Sequence, residues 1–399
     1  MPSLMLLGPH PGNGDTPSGG AAEPGQRKTV FSVRIFRDFK EDERPSMEVY
    51  ADGLIGALRG TANGRFEPKE YVPSAGRFLG GRSDRASLRM RLCRYLLYPW
   101  QARSHKGDIN HVIDHGYAHL LQVLDPHRTV VTVHDLIPLL AWNGRIPGMT
   151  YPHRPRLGEY SLRFLRKARY LFAVSESTKK DLIEHCGCSP GRIRVIYYGL
   201  HTSFRVFGPR ERTRARRDLG LPDEAVKLIL ITGQGAYKNH PVCVQVLRRI
   251  QAESQDRVVM VKLGRSTAEW EAALGATGTQ QSVICIPYLP HNRMVELYNS
   301  VDCLLFPSLY EGFGWPPLEA MACGIPAVTS NVASLPEVVG EAGLMREPGD
   351  VDGLAASVRA VLVDTELRKN LTERGLVRAK SFTWERHATQ VLQAYEELV

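Results

Sequence analysis

The chain has 399 residues, 43% of them hydrophobic and 23% charged, and a formal net charge of +9. These are the proportions of a globular protein long enough for two domains, and no run of about 18 apolar residues is available to cross a bilayer. Seven scattered cysteines, an odd number without metal-ligand spacing, argue against a disulfide framework or zinc module and for buried thiols in a reducing cytoplasm.

In chain order, residues 1–27 are rich in Gly and Pro, have no basic start, and predict a disordered tail rather than a signal peptide. KTVFSVRIF (28–36) predicts a first strand, SMEVYADGLIGALRG (46–60) a helix, and INHVIDHG (109–116) and TVVTVHDLIP (129–138) two more strands. YSLRFLRKA (160–168) is helical, YLFAVSE (170–176) a strand, STKKDLIEHCG (177–187) a helix and IRVIYYG (193–199) a strand. A polar, Arg-rich passage at 202–225 breaks this rhythm, which then restarts with strands at 227–235, 257–264, 282–288, 301–308 and 325–331. Helices at 241–251, 270–276, 294–300 and 350–364 lie among and beyond them, and 382–399 has helical spacing. Near-continuous apolar strands alternating with helices predict α/β architecture: two doubly wound parallel sheets, a boundary near residue 202 and a ligand cleft between them.

Arg and Lys cluster at 82–106, 163–169 and 208–217. Such patches suit anionic ligands, acidic lipid surfaces or nucleic acid, or are simply solvated faces. RLCRYLLYPW (91–100) raises peripheral membrane binding, although its apolar residues fall on no single helical face.

The most specified stretch is LYEGFGWPPLEAMACG (309–324). Pro316 and Pro317 suit the first turn of a helix and LEAMA its body, so a loop bearing Glu311 leads into a helix bearing Glu319. Gly312 and Gly314 allow close approach of a ligand, and amides just before a helix N-terminus form an anion site. Asp350-Val351-Asp352, the one D-x-D, stands where Asp caps a helix and predicts a cap rather than a metal site.

With EGFGWPPLEAMACGIPAVTS, TVHDLIP (132–138), AVSESTKKDL (173–182), GQGAYKNH (233–240), PYLPHNRMVELY (287–298) and ASLPEVVGEAGL (333–344), the chain resembles the retaining glycosyltransferases of family 4, with their E-x7-E motif and GT-B fold. The resemblance spans about 28 to 399. It implies an acceptor domain at 28–202, a nucleotide-sugar domain at 203–381, and a C-terminal helix, 382–399, that crosses back to the first. It makes Glu311, Lys238 and His134 catalytic. On the donor side it places Gly233, Gln234, Lys238, Tyr288, Leu289, Glu311, Gly312, Phe313, Gly314, Trp315 and Glu319, with Glu311 on the sugar, Glu319 on the ribose and Lys238 on the diphosphate. Ser46, Met47, His134 and Asp135 fall on the acceptor side; Ser175 and Glu176 face the cleft with less support.

Three departures stand out: Gln234 where the family often has a basic residue, YGLH (198–201) for the common hinge N-G-V-D, and RPSMEVY (44–50) in place of a Gly-rich loop. The implied reaction is metal-independent transfer of a hexose to a glycan, lipid-linked or other hydroxyl acceptor in polysaccharide biosynthesis. The donor is a nucleotide-diphosphate sugar, GDP-mannose ahead of UDP-glucose, and no further cofactor is implied. The expected location is cytoplasmic, with an anionic inner membrane face as a candidate surface and no nucleic acid as partner. The rivals are a nucleotide-sugar epimerase of the same fold and a basic nucleic-acid-binding protein. A phosphorylase would need a pyridoxal lysine for which the sequence offers no local case.

Overall fold

The computed structural model describes residues 29–61, 64–75, 88–149, 153–254 and 256–399. The expected disordered tail and the start of the first basic cluster lie outside the described residues. The strands of the first sheet are β1 (Phe31–Phe36), β2 (Phe66–Tyr71), β3 (Ile109–Val112), β4 (Thr129–Val133), β5 (Tyr170–Ala173) and β6 (Ile193–Val195), in the order β2-β1-β3-β4-β5-β6. The second holds β7 (Lys227–Thr232), β8 (Val258–Leu263), β9 (Val283–Ile286), β10 (Cys303–Phe306), β11 (Ala327–Ser330) and β12 (Leu344–Arg346), in the order β12-β11-β10-β7-β8-β9. Every pairing is parallel. β4, β10 and β11 are buried along their whole length, because helices cover both faces and leave no polar side to alternate with.

The structure adds elements that the sequence pattern does not announce. β2, FEPKEY, is an edge strand, where Pro68 and its charged neighbours are tolerated. β12 is a three-residue edge strand. The Arg-rich passage contains a helix, Pro209–Asp218, whose Glu211 carboxylate accepts from the Gly208 amide at 3.0 Å. INHVIDHG yields only a short strand, because the Asp114 side chain accepts from the Gly116 amide and opens a 3-10 turn over His115–Gln122. Asp350 caps the Val351–Val363 helix through the Gly353 amide at 2.9 Å, and Asp352 pairs with Arg249 at 3.0 Å. Six of the seven cysteines are buried; Cys285 is exposed.

After β6 the chain passes through 198–208 to the second sheet, and the Trp384–Glu396 helix packs on the Pro45–Thr61 helix beside the first. Trp384 fits there because two neighbours lack side chains: a Cβ on Gly53 or Gly199 would fall 2.2 Å or 2.4 Å from the indole. A buried polar chain ties the helix in. The Tyr395 hydroxyl meets His111 Nδ1 at 2.6 Å, His111 Nε2 meets the Thr132 hydroxyl at 2.7 Å, and Thr132 meets the Tyr50 hydroxyl at 2.9 Å. His387 Nδ1 donates to the Tyr197 carbonyl at 2.8 Å. Burial pushes His111 down to about 3 and His387 to about 4, so both stay neutral at physiological pH. Tyr395→Ala should cost about 3–5 kcal/mol in urea unfolding, since it opens a cavity and strands His111. A cost below about 1 kcal/mol would contradict this packing.

Candidate active site

Two loops of the second domain build the floor of the site. One follows β7 and the other follows β10, neighbours in the centre of the sheet. They are joined by main chain: the Leu309 amide donates to the Tyr237 carbonyl at 2.7 Å. Asn239, in the left-handed region at φ 57°, sends its amide to the Pro307 and Pro348 carbonyls at 3.1 Å and 2.8 Å. Gly233 (φ +96°) makes room for the lysine stem, because a Cβ there would lie 2.7 Å from Lys238 Cε. Lys238 is thereby aimed at Glu311, with Nζ 2.8 Å from Oε1, and it lies over the rings of Phe306 and Tyr237 at 4.5 Å and 5.0 Å. Burial pulls the lysine down, but the Glu311 carboxylate outweighs it and holds the ammonium above its ordinary value.

The loop then turns into the Trp315–Ala322 helix, with Gly314 at φ 110° and no side-chain cap. Among the described residues no hydrogen bond uses the amides of Phe313 or Gly314. One turn into the helix, half-buried Glu319 accepts from the Tyr298 hydroxyl at 2.6 Å. Desolvation pushes its carboxyl up to about 7, against the pull of Tyr298 and Lys238.

The first domain supplies the facing wall. His134 is buried at the end of β4, and its Nε2–H donates to the Ile113 carbonyl at 2.6 Å while Nδ1 accepts from the Tyr198 hydroxyl. Burial pushes it down to about 4, so the ring is neutral. Both nitrogens are therefore occupied as the side chain stands, and neither is free for a sugar or acceptor. Asp135 accepts from the Ile137 amide at 3.0 Å.

These groups enclose a cavity of about 450 Å³ between the domains. Ser46, Met47, His134 and Asp135 line it from one side; Lys238, Tyr288, Leu289, Glu311, Gly312, Phe313, Gly314, Trp315 and Glu319 line it from the other. Gly233 and Gln234 do not: the first lies under Lys238 and the second is exposed. Ser175 is spent as the N-cap of the Glu176–Cys186 helix, and Glu176 is exposed. Sequence reasoning missed Tyr198, Tyr237 and Met294, which line it together with Pro45, Val49, His291 and Pro316. Tyr237 sat beside Lys238 in GQGAYKNH, but nothing in that motif sets an aromatic apart from a turn residue. Lys238 is the only lysine or arginine among the described residues that line the cavity. No group of three His, Cys, Asp or Glu among the described residues is arranged to hold a metal ion.

Residues 58–204 match the Glycosyltransferase Family 4 description and residues 211–378 the Glycosyl transferases group 1 description. The chain is 32% identical over 313 residues to the O-antigen chain mannosyltransferase B of Escherichia coli, covering 76% of this chain and 79% of the relative. It is 31% identical over 284 residues to the serotype-specific mannosyltransferase WbdA of Escherichia coli, covering 69% of this chain but only 34% of that longer protein. Its fold superposes on Anabaena HepE in complex with UDP and glucose, with a TM-score of 0.71, 15% identity, and 92% of this chain and 100% of that one covered. Together with the two sheets, this likeness gives a two-domain α/β fold of the GT-B type.

Proposed function

The chain belongs to glycosyltransferase family 4, and from that premise we propose that it moves a hexose from a nucleoside-diphosphate sugar to a hydroxyl of a glycan or lipid-linked acceptor, with retention at the anomeric carbon. One observation carries the reading: Lys238, Glu311, Glu319 and the unpartnered amides of the intervening loop converge on one interdomain cavity. The mannosyltransferase names of the two Escherichia coli relatives favour mannose, and hence GDP-mannose over UDP-glucose, although the Anabaena structure holds UDP and glucose. In this reading residues 28–202 take the acceptor, 203–381 the donor, and 382–399 cross back to brace the first domain.

The bond from the anomeric carbon to the diphosphate oxygen breaks, and its electron pair stays on the phosphate. That charge is met by Lys238, by the amides of Phe313 and Gly314, and by the positive end of the Trp315–Ala322 helix. Lys238 carries the whole side-chain charge, since it is the one cation among the described residues lining the cavity and Gln234 is neutral. The acceptor hydroxyl attacks from the leaving-group face and passes its proton to the departing phosphate. Glu311, which accepts from Lys238, takes hydrogen bonds from the sugar hydroxyls, and Glu319 takes those of the ribose. With both nitrogens occupied, His134 serves as a wall of the acceptor side rather than a proton carrier.

Glu311→Ala should lower kcat/KM by about 10²–10³-fold, in the range seen when a transition-state hydrogen-bonding group is removed, in a protein that still folds but melts lower, because Lys238 loses its buried partner. Wild-type turnover in a folded variant would overturn the assignment. The carboxylate of Glu319 is the form that accepts ribose hydroxyls, and its pKa near 7 means that protonation competes with binding. Nucleotide affinity should therefore rise about tenfold from about pH 6 to about pH 8 and fall as pH drops through that pKa. Glu319→Gln should flatten the profile; a pH-independent wild type would contradict the ribose role.

A further inference from the structure

A helix runs from Leu88 through a wide turn at Cys93–Leu97 to Arg103, and it has two apolar faces. Met90, Cys93, Tyr98 and Ala102 point inward and are buried. Leu88, Leu92, Leu96 and Trp100 point outward and are 71%, 49%, 66% and 68% exposed. The four outer residues recur every fourth position. In a regular α-helix each such step overshoots a full turn by about 40°, which would smear the row around the helix. The wide turn holds more residues per turn and takes back part of that drift, and it stands just before Pro99, where the ring would otherwise meet the preceding turn. What in the sequence looks apolar on no single face is thus a core face and a solvent face.

The charge around this row is one-sided. Residues 88–106 carry four Arg and one Lys and no Asp or Glu. Arg89, Arg91, Arg103 and Lys106 are exposed, and none pairs with a carboxylate among the described residues. Leu157, 42% exposed, extends the apolar surface, since its carbonyl accepts from the Tyr95 hydroxyl at 3.1 Å. Large apolar side chains bracketed by exposed cations match an anionic bilayer, where the leucines and tryptophan enter the acyl boundary and the arginines meet phosphate headgroups. The same helix turns Arg91, Arg94 and Tyr95 into a second cavity of about 290 Å³, shared with Arg44, His115 and Leu136. Leu136 follows Asp135 and Arg44 precedes Pro45, both of the interdomain cavity.

We infer that the Leu88–Arg103 helix seats the first domain on an anionic membrane surface, with the adjoining cavity as the port through which a lipid-borne acceptor reaches the cleft. The port rests on the glycosyltransferase reading; the membrane seat does not. Leu96 and Trp100 line neither cavity, so Leu96→Ser/Trp100→Ser removes half of the apolar row, including its largest side chain, and leaves the site intact. In flotation with phosphatidylglycerol–phosphatidylcholine vesicles the wild type should rise with the lipid, and the double variant should bind at least about tenfold less at equal melting temperature. Vesicles of phosphatidylcholine alone should recover little of either protein. Wild type that stays with the soluble fraction, or a double variant that floats equally well, overturns the inference. So does a wild-type dimer in sedimentation velocity that the double variant dissolves, which would give the row to self-association. Flotation without sugar transfer would leave the seat standing and refute the proposed function, and transfer to soluble acceptors without flotation would do the reverse.

Discussion

Gly312 is the point on which the arrangement turns. A Cβ at this residue would stand 1.9 Å from the carbonyl oxygen of His134, so the carboxylate loop of the second domain and the end of β4 in the first touch main chain to side-chain-free main chain. That contact sets the width of the cavity and the separation between the acceptor wall and the donor floor. Everything around it holds the loop at that distance. The Ser334 hydroxyl lies 2.9 Å and 2.6 Å from the carbonyls of Glu311 and Phe313. Trp315 stacks on Tyr198 at 4.5 Å and donates its indole N–H to the Gly199 carbonyl at 3.2 Å. The loop is thus braced against the segment that joins the domains, although YGLH departs from the family's usual hinge.

A second brace acts through charge. Glu337, in the second domain, accepts from the amides of Glu176 and Ser177 at 2.7 Å and 2.8 Å and from the Tyr197 hydroxyl at 3.1 Å. A carboxylate at the first turn of the Glu176–Cys186 helix satisfies amides that the helix cannot, and it complements the helix dipole across the domain boundary. Tyr310 reaches Asp181 of that helix as well. Motifs that carry the resemblance are here also contacts between the two domains. This matters for a reaction in which water must be kept from an activated sugar.

The legible part of the fold was its centre. TVVTV, KLILIT and CLLF are mostly apolar or β-branched because they are covered on both faces, and they announce themselves as buried strands. FEPKEY does not, because an edge strand needs neither apolar continuity nor every N–H. PRERTRARRD hides a helix because most of its side chains are solvated, with Ala215 and Arg216 buried, the latter against the Ser300 carbonyl at 2.8 Å. At the site, both glutamates, the glycine pair and Lys238 could be named from local spacing and family likeness. The occupancy of both His134 nitrogens could not, since Ile113 and Tyr198 reach it from distant positions in the chain. Nor could the exclusion of Gln234, because a loop residue's direction is set by the Tyr237 and Asn239 bonds that fold the loop.

The proposed chemistry requires a diphosphate seated between Lys238 and the open amides of the loop before Trp315. Isothermal titration of the wild type and Lys238→Met with GDP, UDP and ADP tests this most directly. One of the three nucleotides should bind the wild type, and Lys238→Met should weaken it by about 30-fold or more, as expected for loss of a desolvated charge contact. Absence of binding by all three, or equal affinity in the two proteins, would contradict it.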